Sequence, residues 1–289
     1  MSFGFPELAA IRLGFGLSPL MPPPADAEAV LSGPALAGPG PEAVTTAWAS
    51  QIAMHYRAGV KARREARPEA PESLAADQQV RALPVEDLRR RVVRALDDPI
   101  GFGERLVQFW CDHFTARAVN KVNTGLGMAF QDEAIRPHLN GRFEDMLFAA
   151  ETHPMMLIYL DQISSRGPNS AFVKRRPGRN FGLNENLARE AMELHTLGVG
   201  AQYSQQDVRE LAELLTGLGF TYDQGFSFKP ALAEPGAETV LGTSYGGGRQ
   251  GGLDDIRAAL RDLARRPETA LYVSRKLAVH FVADDPPQD

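Results

Sequence analysis

The segment from Asn184 to Gly200 reads NENLAREAMELHTLGVG, and it is denser in polar residues than an amphipathic helix requires. On a helix with about 100° per residue, one face collects an amide, a guanidinium and two carboxylates: Asn186, Arg189, Glu190 and Glu193. Apolar residues occupy the opposite side, as in a helix packed on a core. The pattern therefore predicts a helix whose polar face is either a catalytic surface or part of a structural network.

His195 does not belong to that face. It lies roughly 200° from Glu193, so the two side chains cannot bind one metal ion from a continuous helix. Near the C-terminal end of the helix, before Gly198, a protonated imidazole is favoured by the helix dipole. If Arg189 clamps Glu193 in a buried site, removing Arg189 costs about 3–5 kcal/mol, whereas a surface pair costs less than about 1 kcal/mol.

Composition limits the function classes. The chain has 289 residues, 44% hydrophobic and 23% charged, with a net charge of −5. The charge disfavours a nucleic-acid binder, and no apolar run reaches the length of a membrane span. Cys111 is the single cysteine, which excludes an internal disulfide and a cysteine-based zinc site. A native N-terminus of this type predicts a cytoplasmic protein, and a removed leader would indicate a periplasmic or exported one.

Hydrophobic spacing along the chain is mostly helical, including MMLIYLD at 155–161. It predicts a mainly α fold: a single multi-helix globular domain over 1–289, with long loops and at most a small β-hairpin near 218–245. Proline and glycine predict a loop over 18–43, and polar residues around Pro68 and Pro71 predict a linker over 67–83. A basic loop is predicted over 164–182.

That basic loop carries five cationic residues and no acidic one. One interpretation is a solvated surface loop. The other is an anion-binding lid, in which Arg166 or Arg179 forms a bidentate fork with a phosphate, sulfate or carboxylate. Asn184 or Asn186 would then add a polar cap at the positive end of the following helix, and His195 is a further candidate for contacting the substrate.

Metal-binding signals are weak, since neither HExxH nor HxH occurs. His113 lies on an aromatic stripe and is better explained as a core residue, and His153 precedes Pro154, where it can cap a helix. A mononuclear site built from His113, His153 and Glu190 or Glu193 would have to assemble across different helices. Whether a metal or another cofactor binds is left open by the sequence.

Four stretches resemble the bacterial domain-of-unknown-function family 1800. They are FWCDHF (109–114), HPMMLIYLDQISSRGPNS (153–170), LNENLAREAMELHTLGVGAQYSQQDVRELAELLTG (183–217) and RKLAVHFVADDPP (275–287). The resemblance implies a helical protein without a settled activity, in a family whose members often carry export signals. It also implies a partner, because the family's genes often neighbour those of a second uncharacterised family similar to sulfatases and alkaline phosphatases. Family chains usually continue past this region, so a short member or a fragment is expected.

Two hypotheses follow for the function. In the first, the protein is an enzyme acting on an anionic substrate; the loop arginines bind the anion, the face of Asn186 and Arg189 completes the site, and Glu190 or Glu193 is the general base or a metal ligand. In the second, the protein is a non-catalytic helical scaffold or accessory protein for the sulfatase- or phosphatase-like partner, and the polar face is a structural network.

Overall fold

The structure is a computed structural model that describes residues 3–65, 71–179, 181–248 and 252–287. Within these ranges the chain is mainly helical, with two short antiparallel hairpins, which confirms the predicted fold class. The helices are α1 (Phe5–Arg12), α2 (Ala27–Leu36), α3 (Thr46–Arg64), α4 (Pro71–Asp97), α5 (Phe102–His113), α6 (Thr124–Phe130), α7 (Phe143–Thr152), α8 (Pro154–Tyr159), α9 (Ala171–Lys174), α10 (Asn186–Glu190), α11 (Gln205–Leu214), α12 (Leu253–Ala264) and α13 (Pro267–Phe281).

Two π-helical turns continue α-helices, Gln131–Ile135 after α6 and Ala191–Thr196 after α10. The hairpins are β1 (Leu218–Thr221) with β2 (Gly225–Phe228), and β3 (Ala237–Val240) with β4 (Thr243–Gly246). The residues near 218–245 therefore form two small hairpins. The contacts of the chain cluster into two compact units, Met1–Arg142 with Ser274–Asp289, and Phe143–Val273. The assignment of 1–289 to one domain stays a prediction.

The prediction of a loop over 18–43 is wrong for residues 27–36, which form α2 in the first unit. The Asp26 carboxylate accepts the Ala29 N–H and caps the helix. Pro34 falls in the last turn, where it removes only one backbone hydrogen bond. Two glycines, Gly33 on α2 and Gly103 on α5, allow these helices to approach closely, because a Cβ on Gly103 would lie 2.4 Å from the Gly33 carbonyl oxygen. Packing thus stabilises a helix that its composition disfavours.

The predicted linker over 67–83 is also wrong where the structure describes it. Residues 67–70 lie outside the described ranges, and from Pro71 the chain is helical through Pro84 to Asp97. The reason is burial, since Val80 and Leu83 are 0% and 4% exposed and join a core cluster. Its other members are Val44, Ile52, Met128 and Ala129. This apolar contact outweighs the hydrogen bond that Pro84 removes inside the helix.

In the second unit, the segment from Asn184 to Gly200, which we call the signature segment, packs on a fully buried core. The predicted helix over 155–161 is confirmed for 155–159, which belong to α8, whereas Leu160 and Asp161 form a turn. Met155 to Leu157 are 0% exposed, and Met192 and Leu211 are equally buried. Helix α11 begins with the capping box of Ser204 and Asp207 that its sequence indicates. Among the residues that the structure describes, no helix is both long enough and apolar enough to span a membrane.

Candidate functional site

Hydrogen bonds of Asn184 hold the start of α10 in place. Its side-chain amide donates to the carbonyl oxygens of Leu160 and Asp161, at 2.9 and 3.1 Å, and its Oδ1 accepts the backbone N–H of Asn186. Ser165 Oγ accepts the Asn184 backbone N–H at 3.0 Å. Asn184 therefore joins the residues at the start of α10 to the turn after α8, so its amide is used for structure.

Arg189 lies at the centre of a half-exposed polar network. Its guanidinium donates to Glu185 at 3.1 Å and to Gln205 at 3.2 Å, and it lies 3.7 Å from a Glu193 oxygen. The Arg189 and Glu193 side chains are 40% and 30% exposed, so the pair lies on the surface and not in a buried clamp. Burial and a hydrogen bond to Glu193 raise the pKa of Tyr203 to about 12, so this hydroxyl stays protonated.

Asn186 and Glu190 lie one helical turn apart on the same segment. Asn186 is exposed and Glu190 is half-buried. Neither side chain makes a hydrogen bond or an ion pair to another residue in the described part of the chain. Of the four residues that the helical projection groups together, Arg189 and Glu193 have partners, and Asn186 and Glu190 keep free polar atoms.

His195 points into the protein, on the side away from that face, as the projection predicts. The π turn places it at 2% exposure, with Nδ1 at 2.6 Å from Glu151 Oε1. Glu151 is completely buried, and its second oxygen, Oε2, has no hydrogen-bond partner in the described ranges. The pair ties α7 to the signature segment. Contact of His195 with a substrate stays a prediction, and it would require an opening of this core.

The basic loop is anchored, near its N-terminal end, to the connection between the two hairpins. The Asn169 backbone and amide donate to the two Glu234 oxygens at 2.8 and 2.6 Å. Gly167 donates to the Leu232 carbonyl at 2.9 Å, and a Cβ on Gly167 would lie 2.5 Å from the Glu234 nitrogen. Only glycine fits this approach, so the loop is held at its N-terminal end.

Two arginines of the loop are used to shape it. Arg166 donates to the carbonyl oxygens of Ile163 and Ser165, and partial burial lowers its pKa. The guanidinium of Arg176 lies 3.8 Å from the centroid of the Phe172 ring, and that of Arg166 lies 5.5 Å from it. Phe172 is thus covered by two cations, a favourable arrangement. Both hydrogen bonds come from Nη1, and the Nε and Nη2 donors of Arg166 make no hydrogen bond within the described ranges.

The rest of the loop presents free positive charge. Lys174, Arg175, Arg176 and Arg179 are all exposed on and just after α9. Lys174, Arg175 and Arg179 form no ion pair with any residue that the structure describes. We call Ala171–Arg179 the basic segment. Residue 180, inside the predicted basic loop, lies outside the described ranges.

The histidine candidates have other partners. His113 is buried among Phe109, Trp110 and Phe114, and its Nδ1 lies 2.9 Å from Lys276 Nζ. His153 Nδ1 accepts the Met155 N–H and caps α8, as its position before Pro154 indicates. Within the described ranges, no group of three or more His, Cys, Asp or Glu side chains is arranged to hold a metal ion.

Cys111 is half-buried, and desolvation raises the pKa of its thiol to about 12. A thiol of this kind is a weak nucleophile at neutral pH.

The comparison with protein families agrees with the resemblance. The model described as "Protein of unknown function (DUF1800)" matches residues 9–289. The chain belongs to this family. No curated protein and no solved structure matches the chain. The family description names no activity, so the chemistry has to be argued from the geometry of the residues themselves.

Sequence reasoning missed the partners of the polar face. Glu185 and Gln205 complete the Arg189 network, and Glu151 binds His195. Glu185 was detectable, because it lies four residues before Arg189 in the standard helical pairing. Glu151 was not, since 44 residues separate it from His195 and no local pattern connects them.

Proposed function

We propose that this DUF1800 protein binds an anionic polymer through the basic segment. The observation that carries the proposal is the set of exposed cations at Lys174, Arg175 and Arg179, which form no ion pair within the described ranges. They follow Gly167 and Asn169, which Leu232 and Glu234 hold in place. The cations lie on an open surface, which suits an extended ligand with repeated negative charges.

The test is binding of the purified protein to polyphosphate and to polyglutamate at increasing salt. We expect the Lys174→Gln/Arg175→Gln/Arg179→Gln variant to lose roughly tenfold in affinity, from three exposed contacts of about 0.5 kcal/mol each. The remaining affinity should fall with salt, because the Debye length is only about 8 Å at physiological ionic strength. Arg176 is left unchanged, because it covers Phe172.

The matched control is Arg57→Gln/Lys61→Gln/Arg64→Gln on α3, which changes the net charge equally at three exposed positions. Equal losses in both triple variants would show that only net charge matters and would reject a binding segment. Stronger binding to polyphosphate than to polyglutamate would identify phosphate as the preferred group, and the reverse result would favour an acidic protein partner, as the scaffold hypothesis requires.

An enzyme acting on an anionic substrate is the second candidate. It is favoured by Glu190, a half-buried carboxylate without a partner in the described ranges, one turn from the free amide of Asn186. A carboxylate in such surroundings is available as a general base. Here the basic segment would bind the substrate, and Glu190 would accept a proton from it.

Glu190→Gln separates the two candidates, because it removes the base and keeps the shape of the side chain. For an enzyme, we expect the variant to fold and bind polyphosphate like the wild type, and to fail to restore the phenotype of a strain lacking the gene. Asn186→Ala is the companion variant, with a smaller expected defect. Full restoration by Glu190→Gln would rule out Glu190 as the base.

A further inference from the structure

A cleft with a volume of about 700 Å³ opens in the first unit between the loop after α2 and helix α4. This lies within the range of about 300–1,000 Å³ typical of small-molecule sites. Its walls are largely apolar, with Leu36, Pro39, Pro41, Val93 and Pro99 among them. Its polar groups are concentrated around Arg94. No sequence motif and no part of the proposed function involves this cleft.

Behind the cleft lies a buried ionic cluster. Arg136 forms a bidentate pair with Glu104 at 2.5 and 2.9 Å and also approaches Asp132 at 3.1 Å. Arg90 donates to the other Asp132 oxygen at 2.8 Å. The side chains of Arg136, Glu104 and Asp132 are 2%, 7% and 5% exposed. These buried groups are paired with one another as ions, although Arg136 Nε makes no hydrogen bond within the described ranges.

The cluster contains one more positive charge than negative. Arg90, Arg94 and Arg136 face only two inner carboxylates, Glu104 and Asp132. Arg94 reaches Glu104 only at 4.0 Å, since Arg136 already occupies that carboxylate. The excess charge is thus located on Arg94, whose side chain is 14% exposed and is held by the Gly38 carbonyl at 3.2 Å.

Glu42 neutralises this charge from the rim. Its carboxylate lies 2.6 Å from Arg94, yet its side chain is 58% exposed and belongs to the loop between α2 and α3. Because the Glu42 carboxylate is largely hydrated at the rim, another carboxylate can replace it on the less exposed Arg94 at small cost. The two remaining acids of the cleft are used differently: Asp98 accepts backbone N–H groups at the start of α5, and Asp97 is exposed.

We infer that the cleft binds a small molecule with a carboxylate and a short apolar body, and that Glu42 is the internal carboxylate that the ligand displaces from Arg94. The guanidinium supplies a planar fork for the carboxylate. The apolar walls bury the rest of the molecule and give the main driving force. This site lies in the first unit, and its test does not depend on whether the basic segment binds an anion.

The test uses hexanoate as the probe and hexanamide as its neutral counterpart, with affinities measured by ligand-observed NMR. We expect hexanoate to bind the wild type and hexanamide to bind at least about tenfold more weakly, because only the carboxylate forms the charge-assisted fork. Glu42→Gln should tighten hexanoate binding about threefold, because it removes the competing charge and keeps the loop.

The matched control is Glu65→Gln, which removes an equally exposed carboxylate, 62% exposed and paired with Lys61 on α3. It should leave hexanoate binding unchanged. Arg94→Gln should abolish binding, and Arg94→Lys should retain part of it if the charge matters more than the fork. Equal binding of hexanoate and hexanamide, or equal tightening by both glutamate variants, would overturn the inference. The affinity of Glu42→Gln for hexanoate still tests the inference if the Arg94 variants fail to fold.

Discussion

Arg136→Ala is expected to lower the free energy of unfolding by about 3–5 kcal/mol, the cost of stranding buried charges. The Arg136 side chain is 2% exposed, and its guanidinium contacts Glu104, Asp132 and the Ala37 carbonyl oxygen. Its removal leaves Glu104 in the interior without its nearest neutralising charge, and it leaves Asp132 paired with Arg90 alone. Favourable hydrogen bonding raises the pKa of Arg136 despite its burial, which agrees with strong pairing.

Denaturant unfolding measures this loss, and Arg91→Ala is the control. Arg91 pairs with Asp87 at 2.6 Å on the same unit, but its side chain is 50% exposed. Its replacement should cost less than about 1 kcal/mol, because solvent screens the pair. If the two variants lose the same stability, the buried cluster does not hold the first unit together.

Part of this buried ionic cluster can be predicted from the sequence, and part cannot. Asp132 and Arg136 lie four residues apart, so their pairing is readable from helical spacing. Glu104 lies 32 residues before Arg136, and only the packing of α5 against the turn after α6 brings them together. Local spacing thus predicts half of this network. The other half depends on tertiary structure that periodicity does not encode.

The same division holds for the fold. Periodicity predicts α5 and α11, because their apolar residues recur on one side, and the helical neighbours of 155–161 favour a helix there. Sequence patterns fail for α2, where proline and glycine predict a loop, and for the first half of α4, where polar residues around Pro68 and Pro71 predict a linker. In both cases buried side chains outweigh the local penalty, since helical stability in proteins comes mainly from tertiary packing.

For the candidate site, the helical projection predicts which side chains lie on the exposed polar face, but it does not predict the buried contacts. It separates His195 from Arg189 and Glu193, and the structure shows the same separation. It does not predict the π turn over Ala191–Thr196, in which the Leu197 N–H bonds to the Met192 carbonyl at 2.9 Å. A π turn also carries Asp132 in the first unit. In both units, therefore, a π turn carries a buried polar side chain that pairs with other buried residues.

The second large effect concerns the pair of Glu151 and His195. We expect His195→Ala to lower the free energy of unfolding by at least about 1–3 kcal/mol, the cost of leaving a buried polar group without its partner. Glu151 is 0% exposed, and His195 forms the hydrogen bond to its Oε1, while Oε2 has none within the described ranges. The variant therefore leaves both carboxylate oxygens unsatisfied in the core.

A double-mutant cycle with Glu151→Ala tests whether the loss comes from the pair itself. Because each single variant strands the other group, the double variant should be more stable than the sum of the two losses implies, with a coupling of about 0.5–3 kcal/mol. Arg189→Ala is the control in the same segment, and it should cost less than about 1 kcal/mol, because its ion pair with Glu193 is 40% and 30% exposed. Additive losses at Glu151 and His195 would mean that the two residues act separately, and that their hydrogen bond does not hold the signature segment against α7.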